Sequence, residues 1–203
     1  MASPSLDIHA WLDAALVALL EGGTQAVAVE PLARRLGVTK GSFYWHFTNR
    51  DALFEGLVER WAKQTESLIE EVSAMADPRE RLTYLLEAAH RSRTTMRTMR
   101  AMSSLATVPK IGVRVKAVAR RRQDFIATCF RGLGCSRVQA AAAARLVHAA
   151  YLGTGVLDAL DVGATTDSER KAYLDEFLAI VERAPPRAAG RRPASGRAQR
   201  PGG

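Results

Sequence analysis

The chain has 203 residues, of which 47% are hydrophobic and 25% are charged, and its formal net charge is +8. These values are ordinary for a globular protein and exclude disorder for most of the chain. No apolar run reaches the roughly 18 residues that a membrane span needs, and the N-terminus lacks a secretory signal pattern. We therefore expect a cytoplasmic protein with no membrane partner. Neither Cys129 nor Cys135 lies in a cysteine or histidine cluster, so no disulfide framework and no metal site is predicted.

The spacing of the apolar residues predicts the fold class. Helical periodicity runs through almost every segment and no run alternates as a strand would, so the predicted class is all-α, with about nine helices. The first helix carries an apolar face from Ile8 onward and stops at Gly22 and Gly23, which suit the left-handed backbone past a helix end. The second helix is short and ends at Gly37.

The third and fourth helices are separated by a capping residue. The third begins at Lys40 and is predicted to hold both Phe43 and Phe47 on its inner face. Asn49 is the predicted N-cap of the fourth, because its side chain can accept a hydrogen bond from an unpaired backbone N–H. The apolar stripe of this long helix runs to about Ala74.

Prolines mark two of the next three helices. Pro78 fits the first turn of the fifth helix, with Asp77 before it as the cap. The sixth helix is rich in methionine and extends to Leu105. Pro109 is predicted to open the seventh helix, which closes at the glycines that begin with Gly132.

The last two helices, at about residues 137–160 and 168–183, are the predicted dimer interface. Ser136 caps the first of them, which is rich in alanine and permits close approach of another helix. Paired with the last helix and the same two helices of a second copy, it would form a four-helix bundle. The alternative is an internal core helix in a monomer.

Residues 185–203 form the predicted tail. From residue 187 onward the tail has five arginines and no acidic residue, with proline, glycine and alanine between them. Such a segment cannot bury enough apolar surface to fold, so we expect it to be disordered. It is either a solvated extension or a source of non-specific attraction to phosphate backbones.

Residues 29–47 are predicted to form a helix-turn-helix. Two short helices that cross steeply need a small residue where they approach and a residue that tolerates positive φ at the turn. Ala33 and Gly37 meet these needs. Five apolar side chains would hold the pair against the first helix: Leu32, Leu36, Val38, Phe43 and Phe47.

The other face of the second short helix is left free for binding. A helix start offers unpaired N–H groups to phosphate, a lysine adds charge, and flat aromatic side chains offer donors. Because two phenylalanines already point inward, the aromatic residues beside them cannot all do so; the alternative is that Tyr44 and Trp45 are core and His46 is a surface residue. The predicted DNA-binding face consists of Thr39, Lys40, Gly41, Ser42, Tyr44, Trp45 and His46.

The run Leu-Gly-Val-Thr-Lys-Gly-Ser-Phe-Tyr-Trp-His-Phe at residues 36–47, followed by Asn-Arg-Asp-Ala-Leu at 49–53, resembles the DNA-binding signature of the TetR family of transcriptional regulators. The motif covers about residues 8–60, and the order of helices extends the resemblance more loosely to about residue 183. The resemblance implies a three-helix DNA-binding domain at residues 1–48 and a helical ligand-binding and dimerisation domain at residues 49–184.

Roles for single residues follow from the same resemblance. Lys40 and Gly41 match residues near base edges in the major groove. Ala28 departs from the family pattern, which has Thr or Ser there as a helix cap and phosphate contact, so that contact is in doubt. The positions that match phosphate contacts are Thr39, Tyr44, Trp45, His46 and Arg50.

A ligand cavity is expected among the fourth to eighth helices. Methionine and aromatic residues suit an adaptable apolar pocket, although each of them is more often a core residue than a ligand contact. His148 is expected to be a buried, hydrogen-bonded histidine rather than a metal ligand, and no cofactor is predicted. The candidate ligand-binding residues are Trp61, Met96, Met99, Met102, Phe125, His148 and Tyr151.

A basic region at residues 91–122 contains ten basic side chains and no acidic one. It can be a solvated face, a second nucleic-acid surface or a site for an anionic ligand. The sequence leaves these three interpretations open.

The sequence predicts a homodimeric DNA-binding transcriptional regulator that a small molecule releases from a near-palindromic operator. Repression is the family's common mode rather than a property of these residues. An enzyme is not expected, because no nucleophile and base pair and no Gly-rich phosphate loop is recognisable. The alternative function is a helical ligand- or protein-binding module without operator recognition.

Overall fold

The computed structural model describes residues 7–90, 93–160, 162 and 166–182. The predicted tail at residues 185–203 lies outside the described residues. Within the described ranges the chain is all-α, as predicted, with no strand. A 3₁₀ helix at Leu105–Thr107 accompanies nine α-helices: α1 (Ile8–Ala26), α2 (Val29–Leu36), α3 (Lys40–Tyr44), α4 (Arg50–Ser73), α5 (Pro78–His90), α6 (Arg93–Ser104), α7 (Ile111–Gly132), α8 (Arg137–Ala159) and α9 (Asp167–Glu182).

Local capping chemistry sets several helix starts as predicted. The Asn49 side chain accepts a hydrogen bond from the backbone N–H of Ala52 at 2.9 Å at the start of α4. Asp77 does the same for the N–H of Arg79 at 2.8 Å at the start of α5. Before α8, the hydroxyl of Ser136 and the amide of Gln139 each accept from the other residue's backbone N–H, which is a capping box.

Glycines allow the two turns of the N-terminal region. Within α1 the helical backbone breaks at Gly22 and Gly23, and Gly23 has a φ of 68°. Gly37 ends α2 in the left-handed conformation with a φ of 67°, which non-glycine residues rarely adopt. The turn predicted between the two short helices is therefore confirmed.

Two boundaries differ from the predictions. α3 ends at Tyr44, so Phe47 lies in the following turn, although it is buried as expected. α7 begins at Ile111 rather than at Pro109, because a 3₁₀ turn ends α6 and Lys110 takes a φ of 67° before the new helix. Each difference reflects a tight reversal that apolar periodicity does not report.

A first core joins the N-terminal helices to α6. Large side chains of α1, α3 and α4 pack in one cluster with the methionines of α6 and with the first half of α7. The cluster also includes Leu105 of the 3₁₀ helix, which is fully buried. Its members include Trp11, Phe43, Phe47, Phe54, Trp61, Met96, Met99, Met102, Ile111 and Tyr151.

A second core holds the other end of the molecule together. It contains the C-terminal half of α4 and residues of α5, α7 and α8, with Leu174 and Phe177 of α9 partly buried against it. Its buried members are Ile69, Val72, Leu82, Leu86, Phe125, Cys129, Phe130, Ala140 and Val147. The two cores meet along α4, α7 and α8.

One helix in the described part of the chain, α8, is long and apolar enough to cross a membrane by length and composition. Its residues Arg137–Leu157 have a mean hydropathy of 1.2, and one third of them are buried in the fold. Ala140, Ala144 and Val147 are buried members of the fold. α8 is therefore a weakly apolar helix of the fold and not a membrane span.

Gly112 stands where the 3₁₀ helix meets α7, and it allows a backbone approach that no other residue permits. A Cβ there would overlap the carbonyl oxygen of Ala106 and lie 2.9 Å from its carbonyl carbon. We expect Gly112→Ala to lower the free energy of unfolding by about 1–3 kcal/mol, the usual penalty for overpacking. Chemical denaturation measures it.

Gly41→Ala is the matched control for this prediction. A Cβ at Gly41 meets only the Thr39 hydroxyl oxygen at 3.6 Å, which is ordinary contact. Alanine is also the better helix former, so stability is expected to stay the same or rise slightly. Equal stability of the two variants would contradict the close approach at Gly112.

Candidate DNA-binding surface and ligand cavity

The orientation of α3 is fixed by one aromatic side chain. Phe43 is fully buried, and its ring meets the edge of Trp11 and packs against Phe47, both at 5.3 Å between centroids. Aromatic pairs in such geometries stabilise a core beyond their area. With Phe43 held inside, the opposite side of this short helix faces solvent.

That outer side carries the predicted face. Trp45 is 87% exposed and Tyr44 is 54% exposed. Thr39, Lys40 and Gly41 are exposed, and Ser42 is partly buried. Tyr44 and Trp45 are therefore not core residues, which removes the alternative that two aromatics of this segment pack inward.

Lys40 forms an ion pair across the turn. Its Nζ lies 2.9 Å from Oε1 of Glu30 on α2. The hydrogen bond and the charge of Glu30 raise the pKa of Lys40, and Lys40 lowers the pKa of the Glu30 carboxyl in the same way. Both side chains are exposed, so the pair contributes little to the stability of the fold. At this surface, however, Glu30 already neutralises the charge of Lys40 and accepts its hydrogen bond.

Arg50 and His46 differ in their exposure. Arg50, the first residue of α4, is exposed, with its guanidinium 5.3 Å above the ring of Phe54. His46 is only half-buried, so it is not the fully outward residue that the sequence suggested. Its Nε2 is buried without a hydrogen-bond partner among the described residues.

Ala28 stands at the N-cap of α2 and makes no side-chain hydrogen bond. The absence of a Thr or Ser there removes a cap that typically contributes about 1 kcal/mol. Glu30 in the first turn interacts favourably with the helix dipole and offsets part of that loss.

A cavity of about 120 Å³ lies between α4, α5, α6, α7 and α8, where the two cores meet. Ten of its fifteen lining residues are apolar, among them Leu82, Leu86, Phe125 and Val147. The polar side chains in its wall are Thr65, Thr95, Arg122, His148 and Tyr151. This is the usual composition of a small-molecule site, with apolar walls and few polar groups.

Arg122 is the charged group of the cavity wall. Its Nη2 and Nε donate to the hydroxyl oxygen of Thr65 at 2.9 and 3.2 Å, and its guanidinium lies 5.1 Å from the centre of the Trp61 ring. Burial lowers the pKa of Arg122, while the nearby Tyr151 opposes that shift. Among the described residues, no carboxylate forms a salt bridge with it.

Two further polar residues of the cavity lie on α8. Burial, and then the charge of Arg122, lowers the pKa of His148, so its imidazole is neutral at pH 7. Its Nδ1 is buried and has no hydrogen-bond partner among the described residues, contrary to the expected satisfied histidine. The hydroxyl of Tyr151 donates to the backbone oxygen of Thr95 at 3.4 Å, and burial raises its pKa.

The predicted ligand residues divide into two groups. Met99, Phe125, His148 and Tyr151 line the cavity. Three others are buried in the first core and do not line the cavity: Trp61, Met96 and Met102. Trp61 contributes to the cavity indirectly, because its ring packs against the guanidinium of Arg122, which lines the cavity.

The N-terminal helices match a known family of regulators. Residues 12–57 match the sequence profile of the bacterial regulatory proteins of the tetR family. The matched segment contains α2, α3 and the aromatic face that follows Phe43. This N-terminal part of the chain is therefore of the TetR type.

Solved structures share the fold of this chain over most of its length. A TetR transcriptional regulator from Legionella pneumophila is 12% identical with a TM-score of 0.72, over 90% of this chain and 97% of its own. A regulator from Saccharomonospora viridis in complex with choline is 20% identical with a TM-score of 0.70, over 85% and 95%. The regulator FadR from Bacillus subtilis in complex with stearoyl-CoA is 15% identical with a TM-score of 0.66, over 86% and 97%.

Sequence reasoning missed Arg122 and Thr65 as cavity residues. The signal for Arg122 was present, because Val115, Val118 and Phe125 define a buried stripe on α7 at steps of three and four residues. Arg122 stands on that stripe, four residues after Val118, and it is partly buried. A basic residue on an apolar stripe indicates a charge drawn out of water, which is rare without a partner or a function.

The basic region at residues 91–122 has more than one environment. Arg114 pairs with Glu59 at 2.9 Å and Arg121 with Glu66 at 3.0 Å, both on α4, while Arg122 lines the cavity. Arg91 and the side chain of Arg93 lie outside the described residues. The remaining members are all exposed: Arg97, Arg100, Lys110, Lys116 and Arg120. The region is therefore not one uniform face.

If Lys40 contacts a DNA phosphate, Glu30 competes with that phosphate for it, because the two side chains already form an ion pair. Glu30→Gln removes the ion pair and a negative charge beside the exposed aromatics, so we expect about threefold or greater tightening of DNA binding at 0.15 M salt. Lys40→Ala should do the reverse, and it should reduce the slope of log K against log salt by about 0.9. Fluorescence anisotropy with a labelled duplex measures both.

The control is Glu66→Gln, which makes the same change in net charge in the second half of α4, away from α3 and from Arg50. It breaks the Glu66–Arg121 pair instead. We expect no change in DNA affinity. If Glu66→Gln tightens binding as much as Glu30→Gln does, the effect is one of net charge and the role of Lys40 is wrong.

Proposed function

We propose that this regulator binds a near-palindromic operator as a cytoplasmic homodimer, represses transcription there, and is released by a small molecule in the cavity. The observation that carries the proposal is the exposure of Trp45 and Tyr44 beside Lys40, on a helix that buried Phe43 holds in place. A tryptophan that is 87% exposed contributes nothing to folding, and such side chains mark binding surfaces.

Charge at this surface favours DNA as the partner. Residues 28–50 contain four basic side chains and one acidic one. Basic and aromatic groups on one face are suited to phosphate contacts, which fix the position of a protein on a duplex. In the family's pattern, Lys40 and Gly41 reach base edges, and the phosphate contacts come from Thr39, Tyr44, Trp45, His46 and Arg50.

The dimer is proposed through α8 and α9. Along α8 a stripe of apolar and small residues faces solvent at helical spacing: Val138, Ala142, Leu146, Ala149, Gly153, Val156 and Leu160. All of them are exposed except Gly153, which is partly exposed. A second copy that covers this stripe would remove an apolar surface from water and bring two recognition helices to two half-sites.

Release by a small molecule is supported by the cavity and by the neighbours of this fold. Two structures of the same fold contain a bound organic molecule, choline in one and stearoyl-CoA in the other. In this chain the cavity wall includes Met99 of α6, and α6 packs against α1 within the first core. A ligand can change DNA affinity only if it binds one arrangement of these helices better than another.

A helical module that binds a ligand or a protein without recognising an operator is the second candidate. It would use the same cavity but would not need an exposed aromatic face beside Lys40. DNA binding separates the two functions.

The test is a selection of genomic fragments by the purified full chain at about 0.15 M salt, where non-specific binding is weak. We expect one inverted repeat to be enriched. The matched variant is Trp45→Ala, which should lose operator binding by tenfold or more while its thermal unfolding stays unchanged, because the side chain is almost fully exposed.

Two outcomes contradict the proposal. A folded, dimeric protein that enriches no sequence favours the module without operator recognition. A Trp45→Ala variant that binds the enriched repeat as well as the natural protein removes this face from the interface.

The dimer has its own test in Leu146, which is 69% exposed in the middle of the α8 stripe. Leu146→Asp places an unpaired charge in the proposed interface and should weaken self-association by at least about a hundredfold. Light scattering after size-exclusion chromatography measures the mass, and circular dichroism verifies the helical fold.

Val113→Asp is the matched control, because Val113 is 74% exposed on α7 and away from the stripe. It should leave the dimer intact. A Leu146→Asp variant that stays dimeric would place the interface elsewhere.

A further inference from the structure

Arg122 carries a positive charge into the cavity wall, and no acidic residue in the described part of the chain pairs with it. Among the described residues its hydrogen bonds go to the hydroxyl of Thr65, to the sulfur of Met99 at 3.8 Å and to Tyr151, which are uncharged groups. An arginine keeps its proton in a protein, so the charge remains. None of the fifteen residues in the wall is aspartate or glutamate.

Such a charge is expensive to bury and needs an anion. Hydrogen bonds to neutral groups and a ring face recover part of the lost hydration but do not neutralise the guanidinium. The supporting groups also point to an acceptor. The hydroxyl oxygen of Thr65 accepts two of the Arg122 hydrogen bonds. The hydroxyl proton of Thr65 has no acceptor among the described residues.

The remaining wall restricts what the anion can be. The surface beside Arg122 is aliphatic and aromatic, and His148 is neutral there. A cavity of about 150 Å³ with apolar walls holds one benzene molecule in another protein. The cavity here is slightly smaller, at about 120 Å³.

We propose that the effector of this regulator is a small organic carboxylate, with an apolar body no larger than one aromatic ring or a short branched chain. The carboxylate lies against the guanidinium of Arg122 and accepts a hydrogen bond from the hydroxyl of Thr65. The apolar body of the ligand fills the space between α5 and α8. This inference rests on the proposed function, because it names the chemical class of the molecule that occupies the same cavity.

The proposal separates this chain from the two ligand complexes that share its fold. A choline-like ammonium would meet the like charge of Arg122, and a cavity of about 120 Å³ cannot enclose a long acyl chain within itself. The likeness in fold therefore does not extend to the ligand.

The first experiment compares acids with their own amides and uses the natural protein without DNA. Isothermal titration and thermal unfolding are measured with benzoate against benzamide and with isovalerate against isovaleramide; benzylamine serves as the cation. We expect at least one acid to bind tenfold or more tightly than its amide and to raise the unfolding temperature, while benzylamine does not bind. If neither acid exceeds its amide, the proposal is wrong.

The second experiment assigns the effect to one arginine. Arg122→Gln should weaken binding of the acid tenfold or more and leave binding of the amide nearly unchanged. Arg121→Gln is the matched control, because the neighbouring Arg121 pairs with Glu66 at the surface, and it should bind the acid as the natural protein does. Equal losses in both variants would contradict a direct contact, and if Arg122→Gln fails to fold, the acid and amide comparison alone decides.

A final comparison keeps this inference apart from the proposed function. The acid that binds is added to the complex of the protein with its selected operator, and release is expected with the same concentration dependence as binding. If the acid binds through Arg122 but does not release DNA, the carboxylate site stands and ligand-induced release is wrong. If the acid does not bind while the operator is still selected, the carboxylate inference alone is wrong.

Discussion

The packing of α6 against α1 is the contact on which both halves of the molecule depend. The α6 methionines lie in one core with Trp11 and Phe43, and Phe43 in turn sets the direction of the exposed aromatic face. Met99 belongs to that core and also to the cavity wall. Because cores are close-packed, a ligand that displaces this side chain changes the support of α1 rather than filling free space.

The charge of Arg122, which has no acidic partner among the described residues, would supply a physical reason for two states under the proposed function. Without an anion, this charge would favour an arrangement of α4 and α7 that admits water to it. With an anion in place, that advantage would disappear and the enclosed arrangement would be stabilised. This is the differential affinity that a ligand needs in order to shift an equilibrium between conformations.

The helix caps could be predicted from the sequence. Which side of each helix faces a distant helix could be predicted only in part. The caps at Asn49 and Asp77 depend on residues within three positions, so they could be read directly. Of the α6 methionines, only Met99 lines the cavity in the described residues. This depends on where α7 and α8 cross α6, and the periodicity of α6 alone does not predict that crossing. The position of Arg122 on the apolar stripe of α7 could be predicted, but as one of three consecutive arginines it was counted with the basic surface residues.

α8 lies between the cavity and the proposed partner subunit. One side of it contributes His148 and Tyr151 to the cavity, and the opposite side presents the stripe that contains Leu146. It also approaches α6 closely, since a Cβ at Gly155 would meet the backbone oxygen of Met96 at 3.3 Å. A ligand against Arg122 thus touches the helix that supports α1 and the helix proposed to join the two copies. If the chain dimerises through α8 as proposed, the spacing of its two recognition helices would depend on both of these helices, and a ligand in this cavity would act on both at once.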